Sequence, residues 1–294
     1  MTLDQLRIFV AVAEREHITR AAEALNLTQS AVSSAIGSLE ARHAARLFDR
    51  VGRGIALTEA GRLFLDEARA VLARAATAEL VLAELSGLKR GTLSVQASQT
   101  IASYWLPRHL VAFRKAYPGI EIRLAIGNTA GVAAAIHEGS AELGFVEGAV
   151  DDPVLSASIV AQDELVLVVG RAHPWAERPP PDAAALTETD WVLREAGSGT
   201  RSEFEAVLHR AGLACRDLSV ALELPSNEAV RAAIEAGLGA TVISASVAAP
   251  GLQSGLLRQI PFALPARSFQ VLRHRERYRS RSADALLALV AAPA

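Results

Sequence analysis

The apolar positions of this chain change their period about a third of the way along, and that change divides it. Leu6, Phe9, Val10 and Ala13 recur at helical spacing behind Thr2 and Gln5, whose separation of three predicts a capping box and a helix from Leu3. Thr19 is placed to cap a second helix ending near Leu25, in which Ala21 and Ala22 are small enough for close approach of a neighbour. Asn26-Leu27 makes a turn, and Thr28 caps a third helix from Gln29 to about His43. Val32, Ile36 and Leu39 form its inner stripe; Gln29, Ser30, Ser33, Ser34 and Gly37 lie opposite. Leu47 to Thr58 holds Gly52 and Gly54 between two apolar runs, as a hairpin requires. Thr58 then caps a long helix to about Leu85. On it Phe64, Ala68, Val71, Ala75, Ala78, Leu82 and Leu85 alternate steps of four and three, the spacing of a heptad seam for a second chain. Ser86-Gly87 ends this helix before a short hinge.

From Thr92 the pattern becomes strands alternating with helices. Strands are predicted at Leu93–Ala97, Ile120–Ile126, Leu143–Val146, Leu165–Val169, Trp191–Leu193, Ser219–Leu224 and Ala240–Ile243. Helices are predicted around Leu106–Phe113, Ala130–Glu138, Ser202–Ala211 and Asn227–Ala236. Leu165–Val169 is apolar throughout, as in a strand buried on both faces. The order is α/β, in two open sheets.

Composition narrows the function. With 30 Lys+Arg against 32 Asp+Glu in 294 residues, any nucleic-acid footprint must be local rather than a property of net charge. A single cysteine, Cys215, supports neither a disulfide framework nor a zinc cluster, and Arg216 is its only basic neighbour in sequence. The seven histidines show no metal-ligand pairing, so no metal or cofactor is expected. Met1 to Val10 has no basic leader, and no uncharged run approaches the length of a membrane span, so a reducing cytoplasm is the expected setting. Trp105, Trp175 and Trp191 read as core. The basic run Arg273–Arg281 reads as a solvated strand end or helix face, with a contact inside an oligomer as the alternative.

Residues 18 to 40 supply a compact helix pair with small residues at the crossing, followed by a helix whose outer face is polar near its N-terminus. That is what a helix-turn-helix needs to enter a major groove. Gln29, Ser30, Ser33 and Ser34 are the candidate base readers, since glutamine pairs bidentately with adenine and serine both donates and accepts. Thr28 marks the helix end that phosphate would approach. Arg20, Arg42, Arg46, Arg50, Arg53 and Arg62 are candidates for phosphate contacts, with Arg53 at the hairpin tip. Glu40, Asp49 and Glu59 dilute the patch, and an ordinary solvated helix face is the competing reading.

The runs ITRAAEALNLTQSAVSSAIGSLE and LFDRVGRGIALTEAGRLFL resemble the N-terminal signature of LysR-type transcriptional regulators, and the remainder is similar in length and order. The resemblance implies a winged helix-turn-helix at 1–58, a linker helix and hinge at 59–90, and an effector-binding domain at 91–294. That domain resembles a periplasmic binding protein in having two lobes, at about 91–162 with 267–294, and about 163–266. It implies a non-enzymatic regulator bound to a partly palindromic duplex as a homodimer or homotetramer, with compact and extended subunits, and RNA polymerase as a partner. Serine stands at 30 where the family often has proline, and at 34 where it often has a basic residue. SYWLPRHLVAFRKAYPGIEIRL, GNTAGVAAAIHEGSAELGFVEG and DELVLVVGRAHPW look like the sulfur- or carbon-assimilation branch.

Four strand-to-helix junctions are rich in hydroxyls and amides: Ser98-Gln99-Thr100, Asn128-Thr129, Gly197-Ser198-Gly199-Thr200-Arg201 and Ser226-Asn227. Helix N-termini hold anions, and ligands of open α/β sheets sit beyond the carboxyl ends of strands. The expectation is a small anionic effector between two lobes, with Arg201 as its cation and Glu147 beside it. For any single junction, capping alone is the better account. Residues 92 to 294 also read like a solute-binding module, against which the preceding helix-turn-helix argues. An enzyme would need a nucleophile, base and acid together, and Glu147 and Glu228 have nothing paired with them in sequence.

Overall fold

The computed structural model describes residues 1–51, 54–85, 91–180 and 182–291. The hairpin tip with Gly52 and Arg53, and the hinge with Ser86 and Gly87, lie outside the described residues, as does the side chain of Leu85. Two compact units result, one holding residues 1–85 and the other holding 91–137 and 141–291.

The first unit is helical. α1 (Leu3–Arg15) starts at the Thr2/Gln5 capping box, with Gln5 N–H donating to Thr2 Oγ1 at 3.2 Å and Thr2 N–H to Gln5 Oε1 at 3.0 Å. α2 (Ile18–Leu25) is capped by His17 rather than Thr19. The imidazole Nδ1 accepts from Arg20 N–H at 3.4 Å, and Thr19 stands inside the first turn, where its side chain is no longer at the capping position. Asn26 turns the chain in the left-handed region (φ 54°). Thr28 caps α3 (Gln29–His43) through Ala31 N–H at 3.2 Å. β1 (Phe48–Val51) pairs antiparallel with β2 (Gly54–Leu57), and Thr58 accepts from Gly61 N–H at 2.9 Å to start α4 (Glu59–Leu85).

Leu6, Phe9, Val12, Ala21, Ala22, Val32, Ile36 and Leu39 close one core with Leu47 and Phe48. Phe9 stacks against Phe48 and Phe64 at 5.4 and 4.9 Å between centroids. Phe64 and Ala68, the first members of the heptad seam, are therefore used inside their own chain. An apolar repeat does not reveal whether its partner is a neighbouring element or another molecule. Further along the same seam Val71, Ala78 and Leu82 remain exposed, as does Leu63 on the adjoining face.

The second unit holds two five-stranded sheets. The first is ordered β4-β3-β5-β12-β6, from β3 (Gly91–Ser98), β4 (Ile120–Gly127), β5 (Leu143–Glu147), β6 (Leu155–Asp163) and β12 (Arg267–His274). The second is ordered β11-β7-β10-β8-β9, from β7 (Leu165–Gly170), β8 (Asp190–Arg194), β9 (Ser219–Leu224), β10 (Ala240–Ser244) and β11 (Leu257–Ile260). In each, four strands run one way and one, β12 or β7, runs against them, so β3, β4 and β5 correspond to β8, β9 and β10. The chain passes between sheets twice, from β6 to β7 and from β11 to β12. The one-turn π-helix Ile101–Trp105 runs into α5 (Leu106–Ala116), followed by α6 (Thr129–Glu138), α7 (Gly199–Arg210), α8 (Asn227–Glu235), α9 (Ala245–Gln253) and α10 (Arg281–Ala291). Each sheet buries apolar side chains on both faces: Leu93, Val95, Phe145 and Leu272 in one, Leu167, Val168, Trp191 and Ile243 in the other. Trp105, Trp175 and Trp191 all belong to these cores.

The basic run leaves the end of β12 with Arg275, Arg279 and Arg281 exposed, as expected of a solvated strand end, and its arginines are also engaged within the unit. Arg273 and Arg279 pair with Asp284 at 3.3 and 3.2 Å, Arg275 donates to Pro153 O, and Arg277 donates to Ile136 O and His137 O at the end of α6. Carbonyls left over at a helix C-terminus favour such a cation.

Candidate functional site

In the first unit, α3 presents Gln29, Ser30, Ser33, Ser34 and Gly37 to solvent while Val32, Ile36 and Leu39 are buried behind them. Thr28 Oγ1 lies 3.1 Å from Ser30 Oγ, so Ser30 is tied to the cap. The side chains of Gln29, Ser33 and Ser34 form no hydrogen bond among the described residues, and open space surrounds Gly37. Arg20, Arg42, Arg50 and Arg62 are exposed and form no ion pair among the described residues; Arg46 lies 3.8 Å from Asp49. Glu40 dilutes this patch little, because its Oε1 accepts the N–H groups of Leu47 and Phe48 at 2.7 and 3.1 Å. The face is polar, exposed and flanked by cations.

In the second unit, the four hydroxyl-rich junctions converge. α6 and α8 occupy corresponding places in the two halves, and their N-termini are used up in bonds across the cleft. Ala130 N–H donates to Gly197 O at 3.2 Å, and Asn128 Nδ2 to Glu195 Oε1 at 3.2 Å. Asn227 N–H donates to Gln99 Oε1 at 2.7 Å, and Asn227 Nδ2 to Thr100 Oγ1 at 3.0 Å. Asn128 and Ser226 also cap their own helices, through Gly131 and Ala229. The other two junctions differ. Neither Thr100, ahead of the π-turn, nor Ser198, ahead of α7, makes a side-chain cap bond, although both are buried.

Glycine allows the halves to meet. A Cβ on Gly199 would stand 2.1 Å from Glu147 O and 2.6 Å from Thr129 Oγ1. Gly197 holds φ 85°, and a Cβ there would meet Ala130 at 3.1 Å. Thr129 Oγ1 donates to Glu147 O at 2.7 Å, and Ser98 donates to the Glu147 carboxylate. Glu228 gathers Gln99 Nε2 at 3.0 Å, Tyr104 Oη at 3.0 Å and Ser226 Oγ at 3.2 Å. Burial and the neighbouring Glu228 raise the Tyr104 pKa.

Arg201 is turned away from this cluster. It bonds Glu205 at 2.8 Å, Glu223, and Arg194 O at 3.1 Å, and these bonds outweigh burial and raise its pKa. Its Nη2 also lies 3.8 Å from Cys215 Sγ, so Arg201, not Arg216, is the basic neighbour of that thiol. Two arginines that the junction motifs do not contain are buried here instead. Arg194 grips Glu195 with two bonds of 2.7 and 2.9 Å and reaches Asn227 Oδ1 at 2.5 Å. Against the upward pull of burial, those bonds hold Glu195 below the usual carboxylate range. Arg267 donates to Asp163 at 2.7 Å and to Thr200 Oγ1 at 2.9 Å. Both arginines are strand residues, and only their burial marks them. Among the described residues, no group of three or more His, Cys, Asp or Glu side chains is placed to hold a metal ion.

Comparison with known proteins agrees with this arrangement. Residues 3–62 match the bacterial regulatory helix-turn-helix proteins of the lysR family, and residues 86–293 match the LysR substrate binding domain. A "Probable RuBisCO transcriptional regulator" of Trichormus variabilis is 34% identical over 97% of this chain and 86% of its own length. CbnR, a LysR family transcriptional regulator of known structure, superposes with a TM-score of 0.70 at 23% identity, over 99% of this chain and 98% of its own. The regulatory domain of Synechocystis PCC6803 CcmR, solved in complex with 2-PG, is 27% identical over 69% of this chain and 96% of its own, with a TM-score of 0.63. With an exposed helix-turn-helix face on one unit and a cleft between two matched sheets in the other, the chain belongs to the LysR family of transcriptional regulators.

Proposed function

We propose that this regulator reads its operator through Gln29, Ser33 and Ser34 of α3, with Thr28 and Ser30 at the helix end. Arg20, Arg42, Arg50 and, from its place in the sequence, Arg53 contact phosphates. The reading divides the chain into a helix-turn-helix at 1–58, a linker at 59–90 and an effector domain at 91–294. The exposed stripe of Val71, Ala78 and Leu82 on α4 supports pairing with a second chain, and a dimer matches a partly palindromic site. Oligomers, DNA and small effectors are the partners that LysR regulators share; an encounter with RNA polymerase at the promoter, in the cytoplasm, belongs to the same reading. No described helix is long and apolar enough to cross a membrane.

The effector in this reading is a small anion at Thr100, Ser198, Gly199 and Thr200. One observation carries it: the N-termini of α6 and α8 are consumed in cross-cleft bonds, while that of α7 at Ser198 is buried without a side-chain cap, and Thr100 lies buried in the first helical turn after β3. Unpaired N–H groups at a helix end favour negative charge. Ser98, Gln99, Asn128, Thr129, Ser226 and Asn227 then hold the cleft shut around the ligand. Binding shifts the balance between open and closed forms only as far as the ligand prefers one of them. The 2-PG complex of the CcmR domain favours the same class of ligand.

Glu147, Asp163, Glu195 and Glu228 outnumber Arg194 and Arg267 in the same cleft, and that observation favours a neutral or cationic effector instead. Calorimetry on the full chain separates the two readings. Inorganic phosphate, sulfate and 2-phosphoglycolate are titrated beside glycolamide and putrescine. Heat from the anions alone supports the first reading; heat from the neutral or cationic compounds alone overturns it.

A further inference from the structure

Arg267 opens β12, where the chain returns from the second sheet to the first, and Asp163 closes β6, where it leaves. The two are paired in register, and Arg267 Nε donates to Asp163 Oδ2 at 2.7 Å. Each also reaches the second half. Asp163 Oδ1 accepts from Ser244 Oγ at 2.8 Å, and Arg267 Nη1 donates to Thr200 Oγ1 at 2.9 Å. The Arg267 side chain is 1% exposed, and Glu147 Oε1 lies 3.9 Å from Nη1. Its remaining nitrogen, Nη2, is buried and finds no acceptor. Arg231 Nε is in the same condition among the described residues, but it lies 3.4 Å from Glu235 in an ion pair.

Thr200 stands in the first turn of α7, whose N-terminus has no side-chain cap. Its hydroxyl accepts from Arg267, so its single proton is left to donate elsewhere. Arg201, the cation that the GSGTR run offers, is committed to Glu205 and Glu223. We propose that Arg267 is the cation of the effector site, its Nη2 and the Thr200 hydroxyl donating together to one oxyanion group, phosphate or carboxylate, at the N-terminus of α7. The inference rests on the anionic reading given above. It adds a specificity-determining residue 67 positions beyond the junction it serves. A guanidinium already bonded to Asp163 is preoriented, and charge-assisted bonds to an oxyanion are the strong ones.

The test uses the full chain and titration calorimetry with inorganic phosphate, 2-phosphoglycolate and glycolate. In the Asp163→Asn/Arg267→Gln double variant both charges of the pair disappear at similar volume, so neither is stranded by loss of the other, and Glu147 keeps its bond from Ser98. Loss of the guanidinium is expected to weaken binding by at least about 30-fold, the usual effect of deleting one partner of a buried charge-assisted contact. Arg201→Gln is expected to bind within about twofold of wild type, as for a charge outside the site. If the double variant melts far below wild type, Arg267→Lys carries the test, since it keeps the charge and loses the planar fork; a loss of about tenfold is expected. A folded double variant, or failing it a lysine variant, that binds as wild type does overturns the assignment and leaves the anionic reading standing. So does an equal loss in Arg201→Gln. Wild-type protein that binds none of the three probes overturns the anionic reading itself, and the role of Arg267 with it.

Discussion

Gly199→Ala is a wedge that tests whether the closed cleft is held as described. The added Cβ would stand 2.1 Å from Glu147 O and 2.6 Å from Thr129 Oγ1, and Cβ atoms essentially never come within 3.0 Å of another heavy atom. Glu147 O belongs to sheet backbone and does not swing aside, so α7 must retreat by about 1 Å to regain ordinary contact. Overpacking of this kind costs about 1–3 kcal/mol. The cost falls on the closed arrangement alone, so the closed population drops roughly 5- to 150-fold relative to the open one. Hydrogen exchange on the full-length protein reads this directly. Peptides containing Ala130 and Asn227, whose N–H groups bond across the cleft to Gly197 O and Gln99 Oε1, should lose protection. Peptides from β7, buried along its whole length, should not. Anion affinity should fall by the same factor as the closed population. Wild-type protection at both peptides, together with wild-type affinity, would refute the reasoning, because it would show that Gly199 is not where the halves meet.

Further outcomes are expected elsewhere. Gln29→Ala should lower affinity for the operator by about 1–3 kcal/mol in fluorescence anisotropy and leave binding to random duplex nearly unchanged; an equal loss on both would remove Gln29 as a reader. Gly61→Ala would place a Cβ 2.1 Å from Leu47 O, and should lower the stability of the first unit by about 1–3 kcal/mol in denaturant titrations. Burial lowers the His173 pKa below its ordinary 6.5, and the neutral ring accepts from Trp175 N–H through Nδ1 at 3.1 Å. The unfolded chain then takes up the proton first, so this contribution is full above about pH 6.5 and is lost as pH falls through the folded value. His173→Gln should flatten that part of the urea-midpoint profile between pH 7.5 and 5.5, and an unchanged slope would count against it.

The helical unit was legible because its cues are local. The Thr2/Gln5 box, Asn26, Thr28 and the stripe Val32, Ile36 and Leu39 each act within one turn of helix. His17 displaced Thr19 as a cap because an imidazole acceptor does the same work as a hydroxyl and is less expected there. The strands with buried neighbours on both sides, β5, β7, β8 and β10, read as apolar runs. By contrast β6 alternates weakly and lies at a sheet edge with Ile159 exposed, and β12 mixes Arg267, Gln270 and Arg273 into its run. The junctions of the cleft were visible as hydroxyl clusters, but which of them stay uncapped depends on bonds between residues more than 120 positions apart, such as Gln99 and Asn227. The exchange of Arg201 for Arg267 has the same origin. Sequence neighbours set which charge is near a motif, whereas Glu205 and Glu223 decide which charge is spent.

The placing of β12 also bears on how the chain is made. The second sheet is drawn from one continuous stretch, 165–260, and can assemble as it leaves the ribosome. The other sheet keeps a slot between β5 and β6 that only residues 267–274 fill. Until translation reaches them, two strand edges face each other unpaired, and such edges invite association with other nascent chains. The earlier half of this domain is thus the later one to be finished, and a truncation before residue 267 should leave it the more prone to aggregate.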